Sequence, residues 1–468
     1  MTATPLPPGA FRSGPLTLAG AALFTDLYEL TMAASYFREA MTAEATFSLF
    51  VRRLPANRSF LLAAGLEDAL EFLRAFRFSA DALAYLDSLR LFEPRFLQFL
   101  ADLRFTGDVH ALPEGTPVFA DEPLLEITAP IVEAQLVETA VLNCVHAQTV
   151  VTSKAARCVL AAGERPVVEF GLRRTPGTDA GMKAARCAFI AGAASSSNVL
   201  AGLAYGVAPT GTMAHSYVSA FPHEIDAFRA FAAAFPDRAI LLLDTYDTAT
   251  AAHKAVTVGS ELARSGHRLA GVRLDSGDLV ALSREVRAIL DAGGCGDAKI
   301  FASGGLDEDE IARCVAAGAP IDAFGVGTRM DVSADAPYLD MAYKLVRYDG
   351  RDVLKTSAGK TTWAGPKQVY RSRNRAGQCT GDVLALRDEP PPAAGDALLA
   401  PVMRGGELLA PHPSVAALRA HCLAQLAALP EDVRRLRGAA AYRVGYSDRL
   451  TAHQRALEAR VRETEGRV

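Results

Sequence analysis

The sequence predicts an α/β protein built on a barrel, and three observations carry that reading. From Pro166 to Gly325, strand and helix patterns alternate in about six units. Each predicted strand ends in a polar or glycine-rich loop, and a parallel sheet gathers its ligand-binding groups at that end. The last two of these loops, Ser303-Gly304-Gly305 and Gly325-Val326-Gly327-Thr328, are rich in glycine. A barrel usually binds phosphate there. A series of this kind can also open into a doubly wound sheet, but repeated units with loops of similar chemistry favour closure.

Taken in order, residues 20–40 carry a helical stripe (Leu27, Leu30, Ala33, Ala34, Phe37), and 46–51 alternates as a strand ending at Arg52-Arg53. Residues 59–73 turn helical, and 105–126 reads as short strands broken by Pro-Glu-Gly and Asp-Glu-Pro turns. Residues 1–130 therefore predict an α+β domain. A long helix over 133–157 opens the series. Strands follow at 166–170, 207–211, 239–243, 270–274, 298–302 and 321–325, with helices at 182–191, 223–234, 248–265, 278–292 and 307–317 between them. The barrel domain is accordingly 131–345. Residues 346–468 form a C-terminal segment of short strands and helices (413–429, 446–464) expected to pack with the N-terminal domain.

Composition bounds the function. The chain has 468 residues, 22% of them charged, and a formal net charge of −4, so nothing suggests a nucleic-acid partner. No apolar run is long enough to span a membrane. Met1 to Pro15 lacks the order of a signal peptide and reads as a flexible start. The 7 cysteines are scattered without metal or redox spacing, which predicts reduced thiols in a cytoplasmic enzyme. Lys344, Lys355, Lys360 and Lys367 cluster in one stretch, either as a solvated face or as a basic rim over an anion site.

The strand-end loops supply the candidate chemistry. Gly211-Thr212-Met213-Ala214-His215-Ser216-Tyr217 sets a histidine among hydroxyls, Thr212 and Ser216, that can contact a substrate. Arg173-Arg174 can clamp a phosphate or carboxylate, or simply be a solvated pair. Arg273 and Asp275 alternate and so project to one face, as a structural ion pair or as a cationic anchor beside a carboxylate for ribose or Mg²⁺. Asp244-Thr245-Tyr246-Asp247 offers two carboxylates for a metal or a sugar hydroxyl, although helix capping by Asp247 or Thr248 is the simpler account. Ser303, Gly304, Gly305, Gly325, Gly327 and Thr328 present backbone N–H groups to an anion. Together these features indicate a phosphorylated sugar substrate.

At this point the chain resembles the nicotinate phosphoribosyltransferase family. The resemblance is carried, in order, by Phe24-Thr25-Asp26-Leu27-Tyr28-Glu29-Leu30-Thr31-Met32, Glu169-Phe170-Gly171-Leu172-Arg173-Arg174, Ser196-Ser197-Asn198, the segment around His215, Leu243-Asp244-Thr245-Tyr246-Asp247, Gly271 to Asp278, both glycine-rich loops, and Tyr343-Lys344-Leu345-Val346. It implies an irregular, type II phosphoribosyltransferase-like barrel plus a sandwich-like α+β domain made from both chain ends. The implied reaction joins nicotinate to 5-phosphoribosyl 1-pyrophosphate, giving nicotinate mononucleotide and pyrophosphate in NAD biosynthesis or salvage. ATP is the implied co-substrate, coupled through a phosphohistidine at His215, with Mg²⁺ and no tightly bound organic cofactor. By the same resemblance Tyr28, Thr212 and Arg273 hold nicotinate, Tyr28 coming across the interface of a homodimer. Arg173 and Thr328 contact the phosphoribosyl part, the two glycine-rich loops surround its 5′-phosphate, and Asp275 faces ribose or Mg²⁺.

The chain departs from the family pattern at His146, read here as packing between helices, and 376–468 carries little that matches. Segment 196–198 holds no carboxylate to accept the amide of nicotinamide, which favours the acid. Quinolinate would need a richer basic pocket. A sugar-phosphate aldolase or synthase would want a lysine at a strand end, and a nucleotide-sensing module would leave His215, Arg273 and Asp275 unexplained.

Overall fold

The computed structural model describes residues 18–356, 362–392 and 395–465. They divide into two compact units, one made of the described residues up to Val150 with those from Tyr338 onward, the other Val151–Pro337. The sequence-based boundaries at 130 and 345 are thereby displaced. Met341–Tyr348, placed largely in the barrel by pattern, is instead a strand of the first unit, paired antiparallel with Glu44–Val51 over Ala45 to Val51. Its alternating apolar residues fit either sheet, and only the cross-chain pairing decides between them. Helix Glu138–Ala162 runs through the upper boundary, so no loop marks it.

The first unit is built on a seven-stranded sheet. Its order is Arg351–Asp352, Met341–Tyr348, Glu44–Val51, Pro123–Pro130, Asp108–Ala111, Ala400–Arg404, Glu407–Leu408. Every neighbouring pair is antiparallel. Glu44–Val51 is buried along nearly its whole length because the sheet is covered on both faces. A four-stranded sheet, Gly395–Ala397, Lys367–Arg373, Cys379–Leu386 and Val444–Tyr446, completes the unit. Two of the buried charges here are matched by an opposite charge. Arg371 meets Asp382 through Nε and Nη2, the latter at 2.6 Å, and both residues are buried. Lys367 lies 3.0 Å from Glu126 in the interior, so it contributes nothing to a basic rim; Lys360 lies outside the described residues, as do 1–17, where the flexible start was read. His146 does more than pack: its Nε2 accepts the Leu339 N–H at 2.9 Å, tying the long helix to the returning chain. No disulfide joins any of the seven cysteines, all of which lie among the described residues, and no described helix is long and apolar enough to cross a membrane.

The second unit holds six parallel strands in the spatial order Ser195–Ser196, Val167–Glu169, Ala323–Val326, Lys299–Ala302, Gly271–Leu274, Ile240–Leu242. An isolated parallel bridge adds Pro209 beside Ser196. Read around that circle, the strands follow chain order, as a barrel requires, with one seam between Pro209 and Ile240. The strand expected over 207–211 is thus reduced to a bridge, and the short strand at 195–196 went unpredicted. That bridge consists of Ser196 N–H to Ala208 and Thr210 N–H to Ser196, and Pro209 has no N–H to donate on its other edge. Helices Thr248–Arg264, Leu279–Ala292 and Glu308–Ala316 each start on an aspartate cap: Asp247, Asp278 and Asp307. Glu308 then enters a buried cluster with Lys154 and with Arg157 (Nε 2.8 Å), which fixes the helix that follows the Ser303–Gly305 turn.

Glu29 gives the first unit a pH dependence. It accepts the Thr139 hydroxyl at 2.6 Å and the Thr25 hydroxyl, yet burial pushes its carboxyl from about 4.5 up to about 7. The folded state therefore holds a proton that the unfolded chain has released. Stability is full below about pH 4.5 and falls as pH rises through about 7. Glu29→Gln should be more stable than wild type at pH 8 by about 1 kcal/mol, the difference closing towards pH 4.5. Urea melts at both pH values check this, and equal midpoints at pH 8 would refute it.

Candidate active site

In the second unit, the carboxyl ends of the strands bring together residues that lie far apart in sequence. Arg273 is the penultimate residue of its strand and half-buried, and its Nη1 donates to Thr212 Oγ1 at 2.6 Å, while its buried Nε finds no acceptor among the described residues. Burial holds the guanidinium below its ordinary value; Asp275 and Asp244 oppose that shift, and the Arg173 charge adds to it. Arg273 and Asp275 do share a face, but they do not form an ion pair. Asp275 instead accepts from Ser303 Oγ at 2.5 Å and lies 3.8 Å from Nε2 of His215. His215 opens a short helix, His215–Ser219, and its Nδ1 is 3.2 Å from Thr245 Oγ1. Its side chain keeps 44% of its surface exposed, enough to meet a ligand.

Beneath these groups is a small cavity lined by Val168, Phe170, Thr210, Thr212, Ile240, Arg273, Phe301, Ala302 and Gly325. Its walls are apolar apart from two hydroxyls and one guanidinium. Gly325 lies within its strand under the Phe170 ring, where a Cβ would stand 2.5 Å from that ring, so this glycine makes room for an aromatic wall. The two aromatic walls, Phe170 and Phe301, were not singled out from the sequence. Their signal was only their position at or next to a strand end.

The remaining expected residues are distributed as follows. Arg173 and Arg174 are exposed on a single turn of 3-10 helix after Val167–Glu169. Thr328 starts the short helix Thr328–Asp331, directly after Gly327. Ser216 is exposed, next to His215. Gly304 and Gly305 both take positive φ, +90° and +65°. A Cβ on Gly304 would come within 1.7 Å of the Asp275 carbonyl oxygen, so the turn depends on that glycine to pack against the Asp275 backbone. Tyr28 belongs to the first unit. It lies on helix Leu27–Arg38, 48% exposed, and burial together with Glu138 raises its phenol well above the ordinary range. Asp244 joins the rim: Ser276 Oγ donates to its Oδ2 at 2.5 Å, and its buried Oδ1 has no donor among the described residues. The second aspartate of that loop, Asp247, caps its helix by accepting the Thr250 N–H at 2.8 Å.

A parallel barrel that gathers a histidine, a buried-edge cation, two carboxylates and tight glycine turns at one rim defines an α/β-barrel enzyme that handles phosphorylated substrates. Comparison with known proteins narrows the class. Residues 23–146 match the nicotinate phosphoribosyltransferase N-terminal domain, and residues 394–454 match the nicotinate phosphoribosyltransferase C-terminal domain. Over 433 residues the chain is 50% identical to nicotinate phosphoribosyltransferase pncB2 of Mycobacterium tuberculosis, covering 92% of each. It is 42% identical over 378 residues to the nicotinate phosphoribosyltransferase of Bacillus subtilis, covering 78% of this chain and 76% of that one. The crystal structure of human nicotinic acid phosphoribosyltransferase matches with a TM-score of 0.83 at 33% identity, over 92% of this chain and 99% of that one. The chain belongs to the nicotinate phosphoribosyltransferase family.

The two adjacent glycines should respond differently to substitution. Gly304→Ala forces both a strained φ and a backbone clash, and should cost about 3 kcal/mol. Gly305→Ala, with open space around the added methyl, should cost about 1 kcal/mol. Urea denaturation midpoints of the two variants test the ordering, and equal losses would contradict it.

Proposed function

We propose that this chain joins nicotinate to 5-phosphoribosyl 1-pyrophosphate, forming nicotinate mononucleotide and pyrophosphate for NAD synthesis, with ATP hydrolysis coupled through phosphorylation of His215. The observation that carries this reading is the cavity with apolar walls and one cation. The chemistry of its lining, in a space that must open further to admit a ring, matches a flat aromatic with a single carboxylate, which Arg273 would bind while Thr212 fixes the guanidinium. Quinolinate, with two carboxylates, would leave one unmatched. Nicotinamide would leave the guanidinium without its anion, and no acidic side chain lines the cavity to accept its amide.

The reaction needs positioning and charge stabilisation more than acid–base chemistry. The ring nitrogen of nicotinate attacks C1 of the ribose as pyrophosphate departs, and no proton has to be removed. Asp275, held by Ser303, would face the ribose and its developing positive charge. Arg173 and Thr328 would grip the phosphoribosyl group, with the turns at Ser303–Gly305 and Gly327 around its 5′-phosphate. His215, steadied by Thr245 on one nitrogen, would accept the γ-phosphoryl group of ATP, and release of that phosphate as inorganic phosphate would draw the overall reaction forward.

Magnesium fits this rim as an ion carried largely by substrate phosphates. The described residues contain no cluster of three or more metal-ligating side chains, but Asp275 and the donor-free Oδ1 of Asp244 stand at adjacent strand ends. When bound, Mg²⁺ would neutralise the departing pyrophosphate. Tyr28 would reach nicotinate from a second subunit of a homodimer. Supporting that, Phe24, Leu27 and Tyr28 form an exposed apolar group, as do Val199, Leu200 and Leu203, and both are surfaces another copy would cover. Seven cysteines outside any disulfide suit the cytoplasm.

The test is pyrophosphate release with phosphoribosyl pyrophosphate and Mg²⁺, comparing nicotinate, nicotinamide and quinolinate, each with and without ATP. Turnover on nicotinate alone, stimulated by ATP, is expected. His215→Ala should abolish the stimulation and keep a residual rate. Arg273→Ala should lower kcat/KM for nicotinate about a hundredfold, the loss of one charge-assisted contact of about 3 kcal/mol. Turnover on nicotinamide or quinolinate instead would refute the assignment.

A further inference from the structure

Two buried carboxyl groups in the barrel unit have no part in the chemistry above. Glu169 ends its strand with no exposed surface, and Asp331 closes the short helix Thr328–Asp331 at 3% exposure. Glu169 is fully engaged: the Gly171 N–H donates to Oε1 and the Ser196 hydroxyl to Oε2. Both oxygens of Asp331 are buried, and no donor among the described residues reaches either one. An ionised carboxylate so placed would lack any compensation. Burial and the neighbouring Glu169 charge push Asp331 up to about 10. The consistent state is one proton for two carboxyls, carried by Asp331 and donated to Glu169.

The position of this pair gives it a consequence. Gly171 sits so close that a Cβ there would lie 1.9 Å from Asp331 Oδ2, and the Phe170 N–H donates to Val326 at 2.7 Å. The turn that carries Arg173 is therefore clamped against the helix that begins at Thr328. These are the two loops that would hold the phosphoribosyl group from separate strands. Ser196 extends the clamp to a third strand end.

We propose that Glu169 and Asp331 are positioning residues: a neutral Asp331 hydrogen-bonded to Glu169 fixes the distance between the Arg173 turn and the Thr328 helix, and so sets affinity for phosphoribosyl pyrophosphate. The inference rests on the activity proposed above for its ligand, but the clamp itself can be observed without turnover.

The experiment compares Asp331→Asn, which keeps a neutral donor of the same shape, with Asp331→Ala, which removes it. In steady-state assays at saturating nicotinate, D331N should stay within about threefold of wild type. D331A should raise KM for phosphoribosyl pyrophosphate at least about tenfold, with kcat and the nicotinate KM little changed. Hydrogen exchange of the segment 171–175 provides the second readout, with protection retained in D331N and lost in D331A. D331N as impaired as D331A would mean that a charge is required, and would overturn the proposal. So would D331A with wild-type KM and wild-type exchange. If wild type turns over none of the three pyridines, the activity reading fails, while exchange in the two variants still decides whether the clamp exists.

Discussion

A guanidinium at the carboxyl end of a parallel strand, only half in contact with water, is the constraint around which the barrel rim is arranged. Arg273 has one hydrogen-bond partner, Thr212, and a buried Nε with none among the described residues. Leaving such a group incompletely compensated costs stability, and natural folds retain that cost mainly where a ligand supplies the missing partner. Asp275 and Asp244 lie near enough to offset the charge without pairing with it, because Ser303 and Ser276 hold each of them. The cation therefore remains available to an incoming carboxylate.

The same economy explains the carboxylates. At the rim, Asp275 and Asp244 each accept one serine hydroxyl and keep a further oxygen directed elsewhere. Deeper in the barrel, no cation among the described residues pairs with Glu169 or Asp331, and burial with the Glu169 charge pushes Asp331 up to about 10. In the first unit, two buried acids are matched by a cation in direct contact, in Lys367–Glu126 and Arg371–Asp382, while Glu29 is held by threonine hydroxyls. Structural charge is matched internally, whereas charge at the proposed site is left to be completed by substrate.

Much of this was legible in the linear chain. The alternation from Pro166 to Gly325 located five of the six barrel strands within one or two residues, because a buried parallel strand is a short β-branched or apolar run with turn signals at both ends. The helix cap at Asp247 could also be read, since capping is a local rule. The segment at 207–211 failed that test: its apolar pattern looks like a strand, but only a single bridge forms there, and Pro209 leaves its other edge without a donor.

What the sequence determined by itself was the order of the units, the identity of the strand-end residues and, through motifs such as the one around His215, the family. These depend on periodicity, turn chemistry and residue type, all written locally. Tertiary structure alone decided the rest. It assigned Met341–Tyr348 to the first unit, because strand pairing joins residues some three hundred positions apart. It turned Lys367 inward onto Glu126 and separated Arg273 from Asp275, giving each a different partner. It also brought Glu169 and Asp331 together from opposite ends of the barrel series, where burial rather than sequence raises the Asp331 carboxyl.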